Sequence, residues 1–160
     1  MDKQAIVQQV VERLGVELQA AEQAARVAHE TATHEENIAE NKYDTLGLEA
    51  AYLAAGQARR VEEIGQRLRV WRQLQVRAYD DAQGIRLTSL VLLADHNDQQ
   101  QWLFLGPEGA AIKVQVEQRT ILVLSPDAPL GQRLLGRRIG DEIELNVAGR
   151  SQHHEIIEAY

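Results

Sequence analysis

The sequence predicts an α+β chain, with an N-terminal antiparallel coiled-coil helical hairpin followed by a small antiparallel sheet domain that carries one short helix. Three observations predict it. Small or apolar residues recur in alternating steps of four and three along two long segments. An acidic stretch, His34 to Asp44 (HEENIAENKYD), separates them. Beyond Gln75, β-branched and aliphatic runs alternate with turn residues.

The first segment places Val7, Val11, Leu14, Leu18, Ala21, Ala25, Ala28 and Ala32 on one seam. The second places Leu46, Ala50, Leu53, Val61, Ile64, Leu68 and Trp71 at similar spacing, with a slip near Gln57. At about 1.5 Å per residue each helix would run roughly 45–50 Å. A short turn between them folds the pair back antiparallel and puts the acidic residues at the far end. Residues 1–75 are therefore assigned to the hairpin, with its tip near 34–44, and residues 76–160 to a second domain.

In that domain Ile85–Leu93 reads as a strand, followed by the turn Asp95-His96-Asn97-Asp98. Gln101–Leu105 is a second strand, ended by Gly106-Pro107-Glu108-Gly109. Ala111–Val116 and Arg119–Leu124 follow, then a loop with Pro126 and Pro129. Gly131–Leu135 reads as a short helix closing at Gly136. Glu142–Val147, a turn at Gly149 and a strand over His154–Ala159 complete the chain.

The 160 residues carry a formal net charge of −7 and no cysteine, which excludes disulfides and thiolate metal sites. No apolar run approaches the ~20 residues of a membrane span. The amphipathic start MDKQAIVQQVVERL is no secretory signal, so a cytoplasmic protein is expected. The acidic balance argues against independent binding to duplex DNA, which needs Lys and Arg to neutralise phosphates. The charge is polarised. Glu30, Glu35, Glu36, Glu40, Asp44 and Glu49 surround the hinge against Lys42 alone, while Arg59, Arg60, Arg67, Arg69, Arg72 and Arg77 fall on the second helix or its exit. Arg59 and Arg60 are candidates for contact with RNA or another acidic surface. The alternative is a solvated helix surface.

Several constellations fall short of a chemistry. His34-Glu35-Glu36-Asn37-Ile38 begins like a zincin motif, but Ile38 stands where the second histidine belongs. Gly131–Arg138 (GQRLLGRR) has phosphate-loop glycine spacing without the Lys and Ser/Thr. His153-His154-Glu155 would alternate across a strand, which splits any metal-ligand set. Asp80-Asp81 marks a turn, and Ser125 has Asp127 nearby but no nucleophile elbow.

Over nearly its whole length the chain resembles the Gre family of bacterial transcript-cleavage factors. The residues that carry the resemblance are Ser125-Pro126-Asp127-Ala128-Pro129-Leu130-Gly131, Leu134-Leu135-Gly136, Gly140-Asp141-Glu142, Trp102–Gly109 (WLFLGPEG), and Glu40-Asn41 followed by Tyr43 in the hinge. Tyr52 sits where an aromatic of the second helix is expected, and Ala128 replaces the usual serine. The resemblance implies an FKBP-like C-terminal domain that grips RNA polymerase through Asp127, Ala128, Pro129 and Leu130. It also implies a hairpin that enters the polymerase secondary channel, with a tip that helps cut the nascent RNA 3′ end of a backtracked transcript. The tip residues it points to are Glu36, Glu40 and Asn41. Glu36 and Glu40 would assist a Mg2+ ion shared with the polymerase active site and not held stably by this chain alone. The protein would then be an accessory factor and not itself a nuclease.

The tip departs from the family pattern. Aligning Glu40-Asn41 puts Asn37 where the family has Asp, and the stretch from there to the tyrosine is one residue shorter. Glu36 is the substitute acid, Glu35 a further one, and Asn37 can hold a water without adding charge. Two readings therefore stay open, a cleavage stimulator and a secondary-channel regulator that does not cut. From other classes, a dimerising structural coiled coil and an FKBP-like isomerase or chaperone are the alternatives. The isomerase pocket would need more aromatics than Tyr79, Trp102, Phe104 and Tyr160 supply.

Overall fold

Asp2 starts the first helix: its Oδ1 accepts the backbone N–H groups of Gln4 at 2.9 Å and Ala5 at 3.3 Å, two of the donors a helix start leaves unpaired. In the computed structural model, which describes residues 1–34, 45–108 and 112–160, helix α1 spans Lys3–Thr33 and helix α2 spans Leu46–Arg72. Strands β1 (Leu90–Asp95), β2 (Gln100–Leu105), β3 (Ile112–Val116) and β4 (Arg119–Leu124) follow. Helix α3 (Pro129–Leu134), β5 (Glu142–Val147) and β6 (Arg150–Ala159) close the chain. It packs as two units, residues 11–70 and residues 1–10 with 71–160.

In the helical unit the predicted seam of α1 is the buried one. Leu14, Ala21 and Ala28 are buried, seven apart, and Val11, Leu18, Ala25 and Ala32, three or four residues from them, are half-buried. On α2 the seam runs through Ala50, Ala54, Gln57, Val61, Ile64 and Leu68. The expected slip near Gln57 is therefore absent. Gln57 itself holds a seam position, and Leu46 and Leu53, read as seam residues, are more than half exposed. The helices run antiparallel, because Glu17 of α1 meets Arg60 and Arg67 while residues 20–31 share a groove with residues 50–57.

The sheet unit is built on six strands in the order β3-β4-β2-β1-β6-β5. Its sheet is mixed and not antiparallel as expected, because β4 returns beside β2 in parallel, with Leu103 opposite Leu122 and Phe104 opposite Val123. Both faces of the centre are covered, so β1 reads as a continuous apolar run without alternation. On one face Val91, Leu93, Leu103, Leu105, Leu124, Ile143 and Ile156 pack with Ile85 and with Leu134 of α3. Successive residues alternate faces, so Leu90, Leu92 and Phe104 lie on the other. There Trp71 meets Phe104 with ring centroids 6.3 Å apart. Ile6, Val7 and Val10, all buried, belong to the same unit.

The first strand begins at Leu90 and not at Ile85. Arg86 to Ser89 is a turn, closed by the Ser89 N–H donating to the Arg86 carbonyl at 2.9 Å, with Thr88 at φ +70°. That left-handed backbone is unfavourable for a β-branched residue. It is held by the Thr88 N–H donating to the Leu105 carbonyl and by the Thr88 hydroxyl accepting the Arg77 N–H. The last strand starts at Arg150 and not at His154, because the turn at Ala148 and Gly149, both with positive φ, makes β5 and β6 one hairpin.

Lys3 ties three segments of this unit. Its ammonium donates to the carbonyl of Arg77 and, at 2.9 Å, to that of Tyr160. Burial, with the nearby Arg86 guanidinium adding to it, holds its pKa below the ordinary 10.5. Between the lowered folded value and 10.5 the unfolded chain binds more protons than the folded one, so stability from this group rises with pH across that window. The expected outcome is that wild type gains stability relative to Lys3→Met in urea unfolding as pH climbs toward 10.5. A gap between the two that is flat or narrows over that range would contradict the assignment.

Candidate functional site

The loop from Ser125 to Leu130 is shaped by local bonds before any packing. The Ser125 side-chain oxygen accepts the Asp127 N–H at 3.1 Å, and its carbonyl accepts the Ala128 N–H at 3.0 Å. Ala128 is the N-cap of α3 but offers no side-chain acceptor, and Pro129 fits the first helical position, where no N–H is needed. The short helix thus begins two residues before the expected Gly131. The loop's outer surface is Asp127 and Pro129, both exposed. Ala128 and Leu130 are half-buried and pack on the core, so Leu130 serves the fold's interior.

Gly131 is what lets α3 lie against this loop. A Cβ there would stand 2.3 Å from the Ser125 carbonyl oxygen and 2.9 Å from the Pro126 Cα, so any side chain must push loop and helix apart. At the far end, Gly136 (φ +75°) ends the helix, and its N–H donates to the Ile85 carbonyl at 2.7 Å. Sequence reasoning named the loop residues but missed the role of Gly131. Its only signal was a glycine two residues after a proline.

In the helical unit, Arg60 is committed to Glu17 at 3.3 Å, and Arg67 lies 3.9 Å from the same carboxylate. These exposed pairs contribute little stability, about 0–1 kcal/mol each. Arg59, next to Arg60, is exposed. Toward the hinge end an apolar groove of about 470 Å³ runs between the helices, walled by Val27 and Leu53 and floored by Ala20, Ala24 and Ala28. The predicted tip residues Glu36, Glu40 and Asn41, with Glu35 and Asn37, lie outside the described residues.

Among the described residues no group of three or more His, Asp or Glu is arranged to hold a metal. In the His153-His154-Glu155 run, His153 is paired in register with Glu144 of β5, and His154 lies between Ile143 and Asp95. Asp95 is occupied structurally. Its carboxylate accepts the N–H groups of Asn97 and Gln99 at 2.8 and 2.9 Å, and these bonds hold its pKa below the usual carboxylate range. Among the described residues no helix is long and apolar enough to cross a membrane.

The family model described as "Transcription elongation factor, GreA/GreB, C-term" matches residues 81–160. Among solved structures the chain is similar to the GreA factor homolog 1 (Gfh1) of Thermus thermophilus, at 22% identity and a TM-score of 0.39, covering 98% of this chain and 93% of that one. It is also similar to Gfh1 of Thermus aquaticus, at 19% identity and a TM-score of 0.41, covering 93% and 92%. For the GreA/GreB elongation factor of Nitrosomonas europaea the values are 21% and 0.38, over 64% of this chain and 90% of that one. No curated protein matches.

Proposed function

The chain belongs to the GreA/GreB family of transcription elongation factors, and from that premise we propose that it is an accessory factor of RNA polymerase. Asp127 and Pro129 meet the rim of the secondary channel, the helical hairpin enters the channel, and its acidic tip assists cleavage of backtracked transcripts. The observation that carries this reading is the family match over residues 81–160, which includes the loop held by Gly131.

The division of labour follows from the residues. The loop supplies a preset surface, because Pro129 and the Ser125 bonds fix its backbone before binding. Arg59, exposed, is the member of the basic pair available to RNA or to an acidic wall, while Arg60 braces α2 to α1 through Glu17. At the tip, Glu40 and Glu36 supply carboxylate oxygens of the kind magnesium takes, and Asn41 and Asn37 supply amides that position a water or an RNA group. These residues would assist a magnesium ion shared with the polymerase, which when bound would supply an acidified water and offset charge at phosphorus. A second reading, a factor that occupies the channel without promoting cleavage, is favoured by Asn37, an amide where the family pattern has an acid.

The first test is binding. The protein is expected to co-purify with core RNA polymerase. Replacing Asp127 and Pro129 together by alanine should weaken that binding tenfold or more while leaving the thermal midpoint within a few degrees. Undiminished binding by the double variant would remove this loop from the interface. Failure of the wild type to bind polymerase at all would remove the whole proposal.

A further inference from the structure

We propose that Gln9 closes the open edge of the sheet: its side-chain amide stands in for a neighbouring strand at Gln115 and keeps a second copy of the chain from pairing there through β3. This goes beyond polymerase binding and rests on the sheet unit alone.

The argument starts from the turn that joins β3 to β4. Glu117 and Gln118 both have positive φ, 50° and 64°, the backbone of a two-residue type I′ turn. Such a turn makes its flanking residues, Val116 and Arg119, a hydrogen-bonded pair. In an antiparallel ladder the bonding pairs alternate. With Val114 opposite Ile121 and Ile112 opposite Val123, those residues also turn their backbone groups toward β4. The N–H and C=O of Gln115 therefore point away from β4. β3 is the last strand on this side and contains neither proline nor glycine. An edge of that kind is a template for strand addition unless something covers it.

Gln9 covers it at Gln115. The Gln115 N–H donates to Gln9 Oε1 at 3.1 Å, and the Gln115 carbonyl accepts from Gln9 Nε2. A primary amide presents one acceptor and two donors side by side, as a peptide unit does, so one side chain satisfies both groups. A lysine there would serve only the carbonyl, and a glutamate only the N–H. Gln9 is itself held in place, since Ile6 and Val10 on the same stretch of α1 are fully buried. The opposite edge of the sheet has a different protection, the exposed carboxylates of Glu142 and Glu144 on β5. The occupant that Gln9 excludes is another β3. Two copies related by a two-fold axis pair antiparallel by their own edges, which needs no further partner chemistry.

The test uses Gln9→Leu, which keeps the bulk and removes the amide, together with Gln9→Glu, which keeps an acceptor for the Gln115 N–H. Hydrogen exchange at the Gln115 amide and sedimentation velocity at rising concentration are the readouts. Exchange at Gln115 in Gln9→Leu is expected to quicken about fivefold or more at concentrations where the chain is monomeric. At higher concentration Gln9→Leu should dimerise while wild type does not. Adding Gln115→Pro, which removes the edge N–H, should return it to monomer. Gln9→Glu should keep Gln115 protected. The proposal is overturned if Gln115 exchanges equally fast in wild type and Gln9→Leu, or if Gln9→Leu stays as monomeric as wild type. It is also overturned if wild type itself dimerises and Gln115→Pro disperses it.

Discussion

Trp71→Ala should lower the unfolding free energy by about 3–5 kcal/mol, the range for truncating a buried tryptophan. Its side chain is 1% exposed and lies against Phe104 at the centre of the sheet's second face. The indole N–H donates to the Glu108 carbonyl at 3.2 Å. Glu108 is exposed, so water can replace that donor, and the cavity dominates the loss. Gly106 supplies an independent check. A Cβ at that position would stand 2.4 Å from the indole Cη2 and Cζ2 atoms, so the ring fits only because residue 106 has no side chain. Gly106→Ala is therefore expected to cost about 1–3 kcal/mol by overpacking. The double variant should be less damaged than the sum of the two, because the new methyl then partly fills the space the ring leaves. Urea unfolding of the four proteins measures this. A loss below about 1 kcal/mol for Trp71→Ala, or strict additivity, would show that Trp71 does not organise this face.

The helical seam was legible because burial at Leu14, Ala21 and Ala28 follows a strict seven-residue repeat. The register of α2 was misread where residue size misled. Leu46 and Leu53 drew the pattern outward, whereas the small Ala50 and Ala54 and the amide of Gln57 hold the seam. The parallel pairing of β2 with β4 had a faint signal. Leu103-Phe104-Leu105 and Val123-Leu124 are unbroken apolar runs, the mark of strands buried on both faces, but runs alone do not say which strand lies beside which. The late start of β1 had none, since a threonine at positive φ is imposed by its tertiary bonds to Leu105 and Arg77. At the candidate site the loop was found by its residues, while the inward packing of Leu130 and the close approach at Gly131 depend on where α3 lies. The same holds for Gln9 and Gln115, which meet across 106 residues of chain.

Glu40→Gln should reduce transcript cleavage by a stalled, backtracked polymerase roughly 100-fold while leaving polymerase binding unchanged. That magnitude is at the upper end for losing a group that orients or supports a metal's ligand shell. The substitution keeps size and shape but removes the charge and turns one acceptor oxygen into an N–H donor, so a loss reports on the carboxylate at the reacting centre. A purely structural role predicts otherwise. An acid that served only to favour a helix N-terminus would be worth about 0.3–1 kcal/mol, which Glu40→Gln would show as a small stability loss with cleavage intact. Glu36→Gln should fall in the same direction if Glu36 is the second acid. Asn37→Asp adds the carboxylate that the family pattern has there, and it should raise cleavage if that missing charge limits the reaction. An end-labelled transcript followed over time, alongside a binding measurement for each variant, separates these outcomes. If the wild type binds the stalled complex and leaves its RNA uncut, the cleavage reading fails and the channel-occupying regulator stands. In that case Asn37→Asp becomes the decisive protein, because recovery of cutting would locate the lost activity in a single charge.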